Sequence, residues 1–205
     1  MFLSRIKLDP TKRKTIMALA NPNIFHAAVD RAEGEPRSRK LWRIDRLNGT
    51  DYLLILTCEE TDLSSVAVQF SDCAPETKSY ESLLARCVSG SVWRFKLKAN
   101  PTVKKFDPVK KKSVNVPHIT PEYQLKWLFE RAEKNGFELN PDEAFVTENK
   151  WIEFKKTNGG QPVKMLAVTF EGKLKITDEK LFRNALISGI GREKAYGLGM
   201  LTIVR

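Results

Sequence analysis

Residues 91–101 read SVWRFKLKANP. Trp93, Phe95 and Leu97 alternate with Arg94, Lys96 and Lys98, the period of two that a β-strand imposes on side chains facing opposite sides of a sheet. The strand has an apolar inner face and a basic outer face able to set phosphate ligands, Lys98 among them, on a rigid support. The plainer reading is an exposed face with solubilising charges. Asn100-Pro101 ends it. The next stretch, Thr102–Val116, carries Lys104, Lys105, Lys110, Lys111 and Lys112 and reads as a basic connector, too polar to pack and mobile without a ligand.

Upstream, MFLSRIKL predicts a strand whose alternation is imperfect at Leu3. Asp9-Pro10-Thr11 starts a helix, Asn21-Pro22 interrupts it, and NIFHAAVDRAE resumes it as far as Gly34-Glu35-Pro36. LWRIDRL and DYLLILT are two strands joined through Asn48-Gly49-Thr50-Asp51. Asp62–Phe70 is ambiguous. Downstream, Thr120-Pro121-Glu122 opens a helix stopped at Asn135-Gly136. Trp151–Lys156 and Val163–Thr177 form a hairpin, Asp178–Ser188 a last helix and Met200–Val204 a closing strand. This order predicts an α+β protein: tandem ferredoxin-like (RRM-like) domains with antiparallel sheets, residues 1–110 and 111–205. The second unit shows no clear first strand unless Asn115–Ile119 supplies one.

The 205 residues carry 35 Lys and Arg against 25 Asp and Glu, a net charge of +10. The surplus is polarised: residues 51–93 sum to −5, whereas residues 94–112 sum to +7. Such an imbalance favours a polyanionic partner. No apolar run approaches the roughly 18 residues of a membrane span, so no membrane partner is expected. The opening residues lack a signal-peptide core. Cys58, Cys73 and Cys87 form no Cys-x-x-Cys pair and fit reduced, mostly buried thiols in a cytoplasm. With only His26 and His118 available, a histidine-based metal site has little material, and neither metal nor cofactor is expected.

Residues 189–199, GIGREKAYGLG, place Gly189, Gly191, Gly197 and Gly199 after a helix. Backbone N–H groups packed in such a turn can cradle a phosphate, and Lys194 inside it adds a cation. The spacing matches neither a Walker loop nor a dinucleotide fingerprint. A structural glycine turn is the commoner case.

Several phrases occur together in order: MFLSRIKL, ALANPNIFH, FKLKANP, TPEYQLKWL, VTFEGKLKITD and GIGREKAYGLGMLTI. In this combination, over nearly the full length, the chain resembles the CRISPR-associated repeat-processing endoribonucleases of the CasE (Cse3-like) type, subunits of the type I-E Cascade complex. The resemblance implies metal-independent cleavage of CRISPR repeat RNA at the 3′ base of its stem-loop, with the product held and carried into Cascade beside its other subunits. It places His26 on the family's catalytic histidine, within an A-N-P-x-x-x-H frame, and Arg31 where a related member has lysine. Asn23 departs from a tyrosine that assists catalysis in some members. Lys194 and the four glycines match the family's C-terminal loop. The hairpin carrying Lys155, Lys156 and Lys164 falls where the family inserts a basic hairpin into the RNA major groove.

Metal-free RNA cleavage needs the 2′-hydroxyl to attack its own phosphate, leaving a 2′,3′-cyclic phosphate and a 5′-hydroxyl. A histidine with an ordinary pKa of about 6.5 can take or give the proton, and a cation can stabilise the charged phosphorane. Taken alone, a histidine between Phe25 and Ala27 is more often a packed structural residue. A non-catalytic RNA-binding module, a ribonucleoprotein scaffold or a small-molecule enzyme of the same fold are the alternatives. The first explains the charge but gives His26 no task, and the RNP1 aromatic pattern is absent; the second is a role the endoribonuclease reading includes after cleavage; the third leaves the charge of +10 unexplained.

Overall fold

The computed structural model describes residues 1–32, 40–109, 111–155 and 161–205. Two four-stranded antiparallel sheets carry the chain. The first is built from β1 (Phe2–Lys7), β2 (Leu41–Leu47), β3 (Thr50–Thr57) and β4 (Glu76–Ser79), in the order β2-β3-β1-β4. The helices α1 (Arg13–Ala20), α2 (Pro22–Arg31) and α3 (Ser64–Phe70) lie between its strands in sequence. Ile6, Leu53 and Ile55 meet Phe25, Val29, Val66 and Phe70 of α2 and α3 in one core. Leu54, Leu56 and Leu41 belong to a second, larger core that also contains the interior of the other sheet. The apolar run in β3 thus reflects burial on both faces. Leu3, which spoils the alternation of β1, packs against that second core, while Ile6 serves the first.

The second sheet has the order β10-β5-β9-β8, from β5 (Val92–Ala99), β8 (Phe137–Phe154), β9 (Val163–Ile176) and β10 (Leu201–Val204). Trp93, Phe95 and Leu97 are buried at 2%, 4% and 0% exposure, with Trp127 and Leu128 of α5 (Pro121–Lys134) and Phe182 and Leu186 of α6 (Glu179–Ser188) in the same core. Each sheet has its strands in ferredoxin-like order, so the protein is a tandem of ferredoxin-like α+β units.

β5 pairs along its whole length with β9, from Val92 opposite Lys175 to Ala99 opposite Val168. It is therefore the first strand of the second sheet, and sheet membership changes between β4 and β5, upstream of the boundary expected near residue 110. Asn115–Ile119 does not supply that strand. Residues 112–117 form β7 (Lys112–Pro117), which among the described residues pairs only with β6 (Thr102–Asp107). The expected mobile connector is a two-stranded ribbon: Val103 and Val116 lie opposite each other, and its polar side chains need no core because the backbone bonds itself. Its base is tied by the His118 N–H to the Pro101 carbonyl at 2.9 Å and by Gln124 Nε2 to the His118 carbonyl at 2.9 Å.

β8 starts at Phe137, well before the expected Trp151. Its register against β9 shifts between Leu139 and Ala144, and Pro141 sits inside that irregularity, where a missing N–H costs no ladder bond. The short helix α4 (Glu81–Ala85) adds Leu84 to the larger core. Cys87 is buried, but Cys58 and Cys73 are exposed, contrary to the expectation of mostly buried thiols; all three are free. Among the described residues no helix is long and apolar enough to cross a membrane, and no group of three or more His, Cys, Asp or Glu could hold a metal ion.

Arg43 fastens the units together. Fully buried, it binds Asp45 through Nε at 3.0 Å and Nη2 at 2.5 Å, and it also donates to the Lys96 and Met200 carbonyls and to Thr202 Oγ1. The basic face of β5 is paired too, once across to the first sheet and otherwise within its own. Lys96 lies 3.5 Å from Asp45 and 3.3 Å from Glu171, and Lys98 lies 3.2 Å from Glu148.

Candidate active site

The corner between α1 and α2 is set by Asn21-Pro22. The Asn21 side chain accepts from the Asn23 N–H at 3.1 Å, a cap for α2, and Pro22 occupies the first turn, where its missing N–H is harmless. Asn21 Nδ2 also donates to the Lys155 carbonyl at 3.3 Å, joining this corner to the end of β8. α2 buries Phe25 against Trp42 (ring centroids 5.7 Å) and Phe70 (4.8 Å). The next residue, His26, is turned half out of the core. Its ring meets Tyr196 edge to face, centroids 6.3 Å apart at 74°, and among the described residues neither ring nitrogen has a hydrogen-bond partner.

Tyr196 ends a 3-10 turn, Lys194–Tyr196, within the glycine-rich loop. It packs edge to face on Phe154 at 5.0 Å and belongs to a small cluster with Met165, Ala167 and Leu198 at the root of the β8–β9 hairpin. A chain of rings thus runs from the hairpin through Tyr196 to His26. Sequence reading passes over Tyr196; the signal available is a lone aromatic among the glycines.

The loop itself is held mostly by its own backbone. The Ile190 N–H donates to the Gly199 carbonyl at 2.7 Å, the Gly199 N–H to the Lys98 carbonyl at 2.6 Å, and Lys194 Nζ to the Gly191 carbonyl at 2.7 Å. Gly197 is the position most constrained: its φ is +78°, and a Cβ there would stand 2.5 Å from Trp42 Cζ3. Gly189, Gly191 and Gly199 also have positive φ. Close approach to Trp42 and the loop's own closure account for these residues, and Lys194 points back at the loop.

The remaining site residues divide. A cleft of about 450 Å³ is lined by Pro22, Phe25, Lys98, Glu148, Trp151 and Tyr196, among others, so Lys98 shares it with Tyr196, whose ring meets His26. Burial pushes the Glu148 carboxyl up, but the charge and hydrogen bond of Lys98, with a bond from Thr169, outweigh it and hold the group below the usual carboxylate range. Lys155 is exposed beside the Asn21 contact, and Lys164 sits over the Trp151 ring at 5.0 Å. Lys156 lies outside the described residues. Lys104 and Lys105 are on β6 and line a different cleft. Arg31 is exposed at the last residue of α2, and five helical positions set it about 140° around the axis from His26.

Comparison with known proteins agrees in fold and length. The chain is 30% identical over 217 residues to the CRISPR-associated endoribonuclease Cse3 of Thermus thermophilus, covering 99% of each. A solved structure of CRISPR endoribonuclease Cse3 bound to a 19-nucleotide RNA superposes with a TM-score of 0.81 at 28% identity, with 100% of both chains covered. The same fold recurs, at a TM-score of 0.76 and 23% identity over 99% of each chain, in a CRISPR RNA-guided surveillance complex in a pre-nicking state. The family model described as CRISPR associated protein matches residues 1–205. By that match and the Cse3 relationship, the chain belongs to the CRISPR associated protein family.

Proposed function

We propose that this chain, an endoribonuclease by homology to Cse3, cleaves CRISPR precursor RNA at the 3′ base of the repeat stem-loop without a metal ion and then holds the product within a Cascade-type surveillance complex. The 2′-oxygen attacks the adjacent phosphorus, the bond to the 5′-oxygen breaks, and a 2′,3′-cyclic phosphate and a 5′-hydroxyl result. His26 carries a proton in this exchange, either from the nucleophile or to the leaving oxygen. Arg31 supplies positive charge toward the phosphorane, reaching back from the end of α2. Lys155, Lys156 and Lys164 grip the stem from the hairpin, and Lys98, Lys104, Lys105 and Lys194 add positive field along the rest of the RNA path. The work is done in the cytoplasm.

The observation that carries this reading is the placement of His26. It is half-exposed, without a hydrogen-bond partner among the described residues, and seated where the first unit's helix corner meets both the glycine loop and the hairpin root. The test is to incubate the protein with a repeat hairpin in EDTA and identify the ends. Cyclic phosphate and 5′-hydroxyl ends support the mechanism. Cleavage that requires added magnesium while the RNA stays folded, or 3′-hydroxyl ends, would overturn it.

A further inference from the structure

We propose that the cleft between the β6–β7 ribbon and α5 binds a single-stranded RNA segment flanking the repeat stem, with a base on Tyr123 and its phosphates among Lys104, Lys105, Lys126 and Arg192. The proposal rests on the endoribonuclease reading and names a second part of its substrate. The cleft encloses about 900 Å³ and is separate from the one lined by Tyr196. Five of its lining residues, Lys104, Lys105, Lys126, Arg131 and Arg192, are cationic, against one carboxylate, Glu130.

The cleft also offers what a nucleobase needs. Tyr123 stacks on His118, with ring centroids 5.9 Å apart and planes at 12°, and Tyr123 is 59% exposed. His118 is fixed from behind by the backbone bonds at the ribbon's base. Burial, with the nearby charges of Lys105 and Lys126, lowers the His118 pKa against the pull of Glu130, which favours the uncharged ring. Bases inside a duplex are already stacked and cannot present a face to Tyr123, so the occupant is single-stranded.

One loop joins the two sites. The 189–199 loop places Tyr196 against His26 and, a few residues earlier, Gly191 and Arg192 on the wall of this cleft. A strand leaving the base of the stem passes along that loop.

The test measures affinity for three RNAs, each with a 2′-deoxy scissile nucleotide to prevent cleavage: the bare hairpin, the hairpin with its 5′ flank, and the hairpin with its 3′ flank. At least one flank is expected to tighten binding to the wild-type protein by about 5–100-fold, the share of one stacked base. Tyr123→Ala should erase that gain and Tyr123→Phe should keep it. The two flanked RNAs show which side of the stem enters the cleft. If the bare hairpin binds but neither flank adds affinity, or if the gain survives Tyr123→Ala, the cleft proposal fails while the endoribonuclease reading stands. A protein that binds none of the three RNAs overturns both.

Discussion

Replacing Gly197 by alanine should damage cleavage through a contact remote from the RNA. At φ +78°, an alanine pays about 1–2 kcal/mol for left-handed backbone. Its Cβ would also lie 2.5 Å from Trp42 Cζ3 and 2.9 Å from Cε3 and Cη2, where about 3.5–4.0 Å is comfortable. Trp42 is buried and packed on Phe25, so the ring has little room to retreat. Overpacking of this kind costs about 1–3 kcal/mol, giving about 2–5 kcal/mol in all. Gly90→Ala is the matched control: its φ is +82° with nothing within 4 Å of the added Cβ, so only the backbone cost of about 1–2 kcal/mol applies. Urea unfolding of both variants reads the difference. The strain should be relieved by moving the loop, and Tyr196 is the adjacent residue, so single-turnover cleavage by folded Gly197→Ala should fall by about 10–100-fold. Gly90→Ala should cleave at the wild-type rate. If the two variants lose equal stability and cut equally fast, the Trp42 contact does not position the loop.

Tyr196→Ala should lower the single-turnover rate with little change in hairpin affinity, and Tyr196→Phe should restore the rate, because the contact to His26 is one of ring packing; a Phe variant as slow as Ala would assign the work to the hydroxyl. Replacing Lys155 and Lys164 with alanine should reduce the slope of log K against log salt by about 0.7–0.9 for each phosphate no longer neutralised. An unchanged slope would mean these lysines only solubilise the hairpin. Asp45→Ala leaves the Arg43 guanidinium buried without its carboxylate and should cost about 3–5 kcal/mol of stability, measured by denaturant unfolding; a cost below about 1 kcal/mol would show that the Lys96 and Met200 carbonyls and Thr202 suffice for Arg43.

The elements that can be read from the sequence are those whose pattern matches a single environment. β5 alternates because one face is core and the other polar, and the Asn21-Pro22 break gives the helix corner that presents His26. A boundary near residue 110 rests on treating a basic stretch as a linker. Strand pairing across sequence, β5 to β9, decides sheet membership, and no local pattern records it. The ribbon at 102–117 is hidden because its strands bury almost nothing, and the early part of β8 because Pro141 and its polar neighbours resemble a loop. His26 is visible through its sequence frame. Tyr196 is not, since its role arises only when the loop folds onto the first unit. The basic face of β5 is legible as charge, but its partners Asp45, Glu148 and Glu171 come from three other strands.

The most direct test of the central claim is the single-turnover cleavage rate of folded His26→Ala protein on a repeat hairpin. A residue that moves a proton in the transition state and adds little to ground-state affinity should, when removed, slow cleavage by about 10²–10⁴ while the hairpin binds nearly as tightly as before. His118→Ala should cut the bare hairpin at close to the wild-type rate, because His118 faces the other cleft. Folded His26→Ala protein that cuts within a few-fold of the wild-type rate would contradict the account.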